Sequence, residues 1–189
     1  KITGVYKTAP WVITVANGEK GGSLAGSSSR GRKDSDANGT VEDTDDGVVH
    51  PSQREEITVD GVNYLWENRP TVTAPGTDIV SVRATGSAIA PLAALDDVNL
   101  ELEELPYYTI LTGTSMACPH VAGIVALMVE ANPQLEWRAA KAVLQRTAID
   151  AMSEAFYQRG AGYVNAHAAV AASFHGLCDV DENAASDEN

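Results

Sequence analysis

The chain has 189 residues, with 13 Lys+Arg against 26 Asp+Glu, a formal charge of −13 at pH 7 and a pI near 4.5. That length suits one domain with a core of its own, and the acidic balance repels phosphate backbones and so excludes nucleic acid as an expected partner. Two cysteines cannot build a disulfide scaffold or a four-cysteine zinc site, and the uncharged apolar run at residues 121–129 is too short to span a bilayer.

The chain opens on Lys1 in polar sequence, with no charged-then-apolar leader before it, and reads as a piece of something longer. Residues 11–16, Trp-Val-Ile-Thr-Val-Ala, predict a buried strand between Pro10 and a turn at Asn17-Gly18. The Gly/Ser-rich stretch 21–31, centred on Ser27, Ser28 and Ser29, predicts an ordered loop. Residues 32–69 form a surface insertion with a hairpin near 57–62. Short strands at 71–73 and 79–82 flank a turn at Ala74-Pro75-Gly76. Residues 84–106 are a second surface insertion ending in the acidic run 96–104, and both acidic runs are expected to be solvated. A strand follows at 107–111.

Helix signals dominate from there on. Residues 115–131 carry no charge until Glu130, so this helix is expected to be buried on every side, and Asn132-Pro133 stops it. A second helix at 136–147 has an inner stripe of Leu135, Ala139, Val143 and Leu144, with Arg138, Lys141 and Gln145 facing water. A third, at 165–173, follows a glycine turn at 160–162. Residues 1–175 make the domain and 176–189 an acidic tail. Strands mixed with buried helices predict an α/β fold of three layers: a mainly parallel sheet and a buried central helix.

Gly113-Thr114-Ser115-Met116-Ala117 lies between a strand and that helix. A serine at a helix N-terminus faces unpaired N–H groups and the positive end of the helix dipole, which is what a tetrahedral oxyanion requires. A plain N-cap role for Ser115 or Thr114 is the alternative. His120 sits more than a turn beyond Ser115, well round the helix, and is expected to be a hydrogen-bonded structural residue rather than a base. Cys118 is expected to be a small buried residue; a Cys118–Cys178 bond is the other option.

Residues 113–123, Gly-Thr-Ser-Met-Ala-Cys-Pro-His-Val-Ala-Gly, resemble the catalytic-serine block of the subtilisin-like serine proteases, the subtilases. The strand and Ser-Ser loop at 10–31, Ala74-Pro75-Gly76, and the closing turn and helix at 156–169 resemble further blocks of that family in the right order. The resemblance implies a serine endopeptidase with Ser115 as nucleophile and polypeptide substrates, secreted or held at the cell surface. It also implies an Asp and a His block and an oxyanion asparagine, none of which is found here. His50 is too close to Asp46 and is followed by Pro51. The resemblance thus places the other catalytic parts in an upstream half of the same domain, and the isolated chain is expected to be inactive, since a serine hydroxyl without a base is a weak nucleophile.

Two further readings stay open. An α/β-hydrolase-type esterase would use Ser115 with Asp150 and His167 or His175, and a non-catalytic relative would use none of them. Separately, Asp34, Asp36, Asn38, Thr40, Glu42 and Asp45 fall at calcium-loop spacing, with Gly39 at the sharp turn. They form either a calcium site weakened by Asp at its last position or a solvated acidic loop.

Overall fold

The computed structural model describes residues 11–31, 56–59, 62–65, 69–84, 86 and 97–176. In chain order the elements are β1 (Val15–Gly18), β2 (Glu56–Val59), β3 (Val62–Leu65), β4 (Val72–Pro75), β5 (Ile79–Val82), a 3₁₀ turn at Asp97–Asn99, and β6 (Tyr108–Leu111). Four helices follow: α1 (Thr114–Ala131), α2 (Trp137–Thr147), α3 (Phe156–Arg159) and α4 (Ala166–Phe174).

β1 and β4 pair in parallel, with Ala16 opposite Thr73. The ladder continues through single bridges: Thr73 to Tyr163 in parallel, then Tyr163 to Ile149 antiparallel. β2–β3 and β5–β6 are antiparallel hairpins. The fold is α/β, but among the described residues parallel pairing is confined to β1 with β4 and the single Thr73–Tyr163 bridge. The first strand starts later than its apolar run suggests and takes in Asn17-Gly18, the expected turn. The physical reason is visible in the side chain of Asn17, which is fully buried with partners of its own. Its Nδ2 donates to Ser27 Oγ at 3.5 Å, Thr77 Oγ1 donates to its Oδ1 at 3.4 Å, the backbone N–H of Asn17 donates to Ser28 Oγ at 2.9 Å, and the Ser-rich segment is thereby an ordered loop packed on β1.

Val72 and Ala74 of β4 form the sheet side of the core, and Ala117, Val121, Ile124 and Met128 of α1 pack against them. Those four helical positions are spaced by four, three and four residues, a single stripe. The expectation of a helix buried all round is therefore corrected. Ala122, Gly123, Ala126, Leu127 and Val129 are exposed, because β1, β4 and α4 pack on one side of α1 and these positions lie off that side. At 18 residues α1 is long and apolar enough to cross a membrane, longer than the run 121–129 implied. Its packed stripe is that of a core helix.

The second helix departs from expectation on its inner face, where Ala140 is buried and Ala139, expected there, is half-buried. Ala140, Val143 and Leu144 are buried as a stripe, and Lys141, expected in water, is 3% exposed beside them. The buried face is wider than the apolar residues alone mark out. At the start of α4, Asn165 caps the helix by accepting the Ala168 N–H at 3.0 Å. Behind β4, Tyr163 donates its hydroxyl to the Glu19 carbonyl at 2.6 Å. Burial, then the nearby Glu19 charge, pushes its pKa up.

Candidate active site

The strand β6 ends at Leu111, and Thr112-Gly113 carries the chain into α1. Gly113 has φ 154° and ψ 171°, a region that essentially only glycine adopts. Its N–H donates to the Gly76 carbonyl at 2.8 Å, which ties the end of β4 to the head of the helix. Its carbonyl accepts from the Met116 and Ala117 N–H groups at 3.0 and 3.2 Å.

Gly113 is therefore the N-cap, with no side-chain cap hydrogen bond. The capping role considered for Ser115 or Thr114 is not the one they play. Ser115 is the second residue of α1, and it is exposed. Its N–H has no acceptor among the described residues, as expected in a first helical turn. Four residues on, Pro119 has no N–H to offer the Ser115 carbonyl. The helix head thus presents a hydroxyl and a free donor side by side, at the positive end of the dipole.

A cavity of about 450 Å³ opens between this helix head and the β5–β6 hairpin. Ser115, Met116 and His120 line it from α1, and Ser81, Arg83 and Thr109 line it from the hairpin. The Nδ1 of His120 lies 2.8 Å from the Met116 carbonyl, an intrahelical bond that holds the ring. Its hydrogen-bonded role is as expected, although the ring is exposed. Cys118, expected to be buried, is exposed and free. It follows Ala117 by one residue, a step of about 100° that carries it off the packed stripe. Cys178 lies outside the described residues.

The rival triad is not brought together. Asp150 forms an ion pair with Arg159 at 2.7 Å, and neither Asp150, His167 nor His175 lines the cavity that Ser115 lines. Asp34, Asp36, Asn38, Thr40, Glu42 and Asp45 all lie outside the described residues. Among the described residues, no cluster of three His, Cys, Asp or Glu side chains is placed to hold a metal.

Sequence reasoning missed Asp97. It belongs to the acidic run expected to be solvated, yet it is 5% exposed. Its Oδ1 accepts from the Ile110 N–H at 2.9 Å and from Thr109 Oγ1 at 3.0 Å, and its Oδ2 pairs with the Arg83 guanidinium. The Ile110 bond foremost, with Thr109 and Arg83, holds its carboxyl below the usual carboxylate range against the opposing effect of burial. Nothing in the run of acidic letters distinguishes this residue from its neighbours.

A family model described as "Subtilase family" (Peptidase S8) matches residues 3–173. The chain is 34% identical over 135 residues to "Serine protease AprX" of Bacillus subtilis (strain 168), covering 71% of this chain and 28% of that protein. It is 37% identical over 106 residues to "Extracellular protease" of Xanthomonas campestris pv. campestris, covering 56% and 16%. Among solved structures, "Prenylagaramide maturation protease PagA" aligns with a TM-score of 0.51 at 16% identity, over 88% of this chain and 44% of that one; this likeness concerns the fold alone. The chain thus spans 28% of the length of AprX.

Proposed function

The chain belongs to the subtilase family, a family of serine proteases, and from that premise we propose that Ser115 is the nucleophile of an endopeptidase whose remaining catalytic groups come from a further part of the same domain. The single observation that supports this most is the uncapped, exposed hydroxyl of Ser115 at the head of α1, beside its own free N–H and at the edge of a cavity. In this reading Ser115 Oγ attacks a peptide carbonyl and gives its proton to a histidine held by an aspartate. The carbonyl oxygen becomes an oxyanion received by the Ser115 N–H and the positive end of α1. Collapse of the tetrahedral species expels the amine, which takes up the proton from the histidine, and water then releases the acyl group by the same route.

The missing part has a place to pack. The outer face of α1, with Ala122, Gly123, Ala126, Leu127 and Val129 exposed, is apolar enough to be an interior surface, and a Cβ built on Gly123 would meet nothing within 4 Å. Covering it would complete the three-layer arrangement with α1 at the centre. Polypeptide substrates follow from the chemistry, and a secreted or cell-surface location is in keeping with a relative named an extracellular protease. Calcium at Asp34, Asp36, Asn38, Thr40, Glu42 and Asp45 rests on the spacing of oxygen donors alone, and no step depends on it.

A fluorophosphonate probe tests the proposal. Protein extended upstream to include an Asp-Gly and a His-Gly-Thr block should be labelled at Ser115, and the 189-residue chain should not. Labelling that persists in Ser115→Ala, or that never occurs in the extended protein, rejects it.

A further inference from the structure

Arg83 lines the cavity that Ser115 also lines, and its guanidinium pairs with Asp97. A cavity of about 450 Å³ has the volume of a sphere about 10 Å across, so a charge on one wall acts on a group at the other. A base able to take the proton of Ser115 must come within hydrogen-bond reach of its hydroxyl. A base that approaches through this cavity would have Arg83 in the same wall. A bare cation there would oppose the imidazolium that forms as the proton moves, and would lower the basicity of the ring.

Asp97 removes that cation electrically. It reaches Arg83 from the insertion between β5 and β6, and its side chain is 6% exposed against 26% for Arg83. The same carboxylate bonds Thr109, which also lines the cavity, and the Ile110 N–H on the strand that runs on into Gly113 and Ser115. The Nε of Arg83 is buried without a hydrogen-bond partner, and among the described residues Asp97 is the carboxylate that pairs with this arginine. Among the described residues, the ionisable or charged side chains facing the cavity are Arg83 from the hairpin and His120 from α1.

We propose that Asp97 is a positioning residue for the hydrolytic reaction: it neutralises Arg83 in the wall of the Ser115 cavity and thereby sets the basicity of the histidine that serves Ser115. The inference rests on the reading of Ser115 as nucleophile. It assigns a part of the second insertion, which sequence alone marks as solvated surface, to the electrostatics of the reaction. Removing the carboxylate charge leaves one net positive charge beside the cavity, and acting across the cavity's width of about 10 Å, at an effective dielectric constant of about 20 to 80, it corresponds to a shift of about 0.3 to 1 pH unit.

The experiment is the pH profile of kcat/KM for the upstream-extended, active protein and three variants. In Asp97→Asn the acid-limb pKa should fall by that amount. In Arg83→Leu, which leaves the carboxylate alone, it should rise. In Arg83→Leu/Asp97→Asn, where the wall is again neutral, it should return to the parental value. His120 is common to all four proteins and cannot generate that reversal of sign. Should Asp97→Asn fail to fold, the rise in Arg83→Leu decides alone. A uniform loss of rate with an unmoved profile, or shifts of one sign in both single variants, overturns the proposal. Absence of any turnover removable by Ser115→Ala would instead count against the nucleophile assignment itself.

Discussion

The Gly76 carbonyl accepts the Gly113 N–H at 2.8 Å, and these two glycines lock the turn after β4 to the head of the helix that carries Ser115. The approach is close enough that a side chain has no room. A Cβ on Gly76 would lie 2.4 Å from Asn17 Oδ1, 2.6 Å from the Gly113 carbonyl oxygen and 2.9 Å from Ala117 Cβ. Two of those neighbours belong to the helix head or its cap, so relief of the clash must move them.

Gly76→Ala is therefore expected to destabilise the chain by about 1–3 kcal/mol, the scale of overpacking in a tight core, and to displace Ser115 with it. Urea denaturation reads the first effect and the fluorophosphonate labelling rate of the extended protein the second. A variant with parental stability would mean that the turn gives way more easily than its packing indicates.

Ser115→Ala removes the proposed nucleophile and should leave the helix intact, since Ser115 is exposed and caps nothing. In the extended protein kcat should fall on the order of 10⁶-fold, the scale found when the nucleophile of subtilisin, a member of this same family, is removed. Thermal melting should be unchanged to within about 0.5 kcal/mol, as for other exposed substitutions.

Leu127→Glu separates folding of the chain from completion of the domain. Leu127 is 51% exposed on the uncovered side of α1, so the substitution should cost the isolated chain little, within about 0.5 kcal/mol. In the extended protein the same carboxylate would lie in an apolar interface, where an unpaired charge is costly, and activity should fall together with the melting temperature. Equal behaviour in both proteins would show that this face stays in water.

Stability at acid pH should carry the mark of Asp97. Its carboxyl titrates below the ordinary value of 3.8 in the folded chain, so as pH falls through that value the unfolded chain takes up the proton first. The contribution is complete above about pH 3.8 and is lost as pH drops through the depressed folded value. Urea midpoints measured against pH should fall more steeply in this acid window for the parent than for Asp97→Asn. Parallel curves would indicate that the buried carboxylate carries no such linkage.

Calcium titration addresses the acidic loop directly. If residues 34–45 form the site their spacing suggests, isothermal calorimetry should register binding and the melting temperature should rise with calcium, by an amount set by RT ln(1 + [Ca]/Kd). Substituting Asp34 and Asp36 by Ala should abolish both. No heat and an unmoved melting temperature would identify the segment as acidic surface.

Much of this protein was legible as a string of residues because the signals are local. Proline, glycine and the apolar runs mark where α1 and α2 begin and end, and a hairpin lies where Ile57 and Val62 suggest. The Gly-Thr-Ser-Met-Ala block stands where a strand meets a helix. Each of these depends on neighbours a few positions away, and backbone sterics and helix geometry act over that range. Three things were decided only by distant parts of the chain coming together. α1 buries one stripe rather than its whole surface, because burial depends on which partners are present and not on the helix's own composition. Lys141 turns inward beside an apolar stripe. Asp97, indistinguishable by type from the solvated glutamates after it, is buried because Arg83, Thr109 and the Ile110 N–H converge on it from two strands of a hairpin. Charge and hydrophobicity are properties of a residue, whereas desolvation and electrostatic compensation belong to a place in space, and that place exists only once the chain has folded.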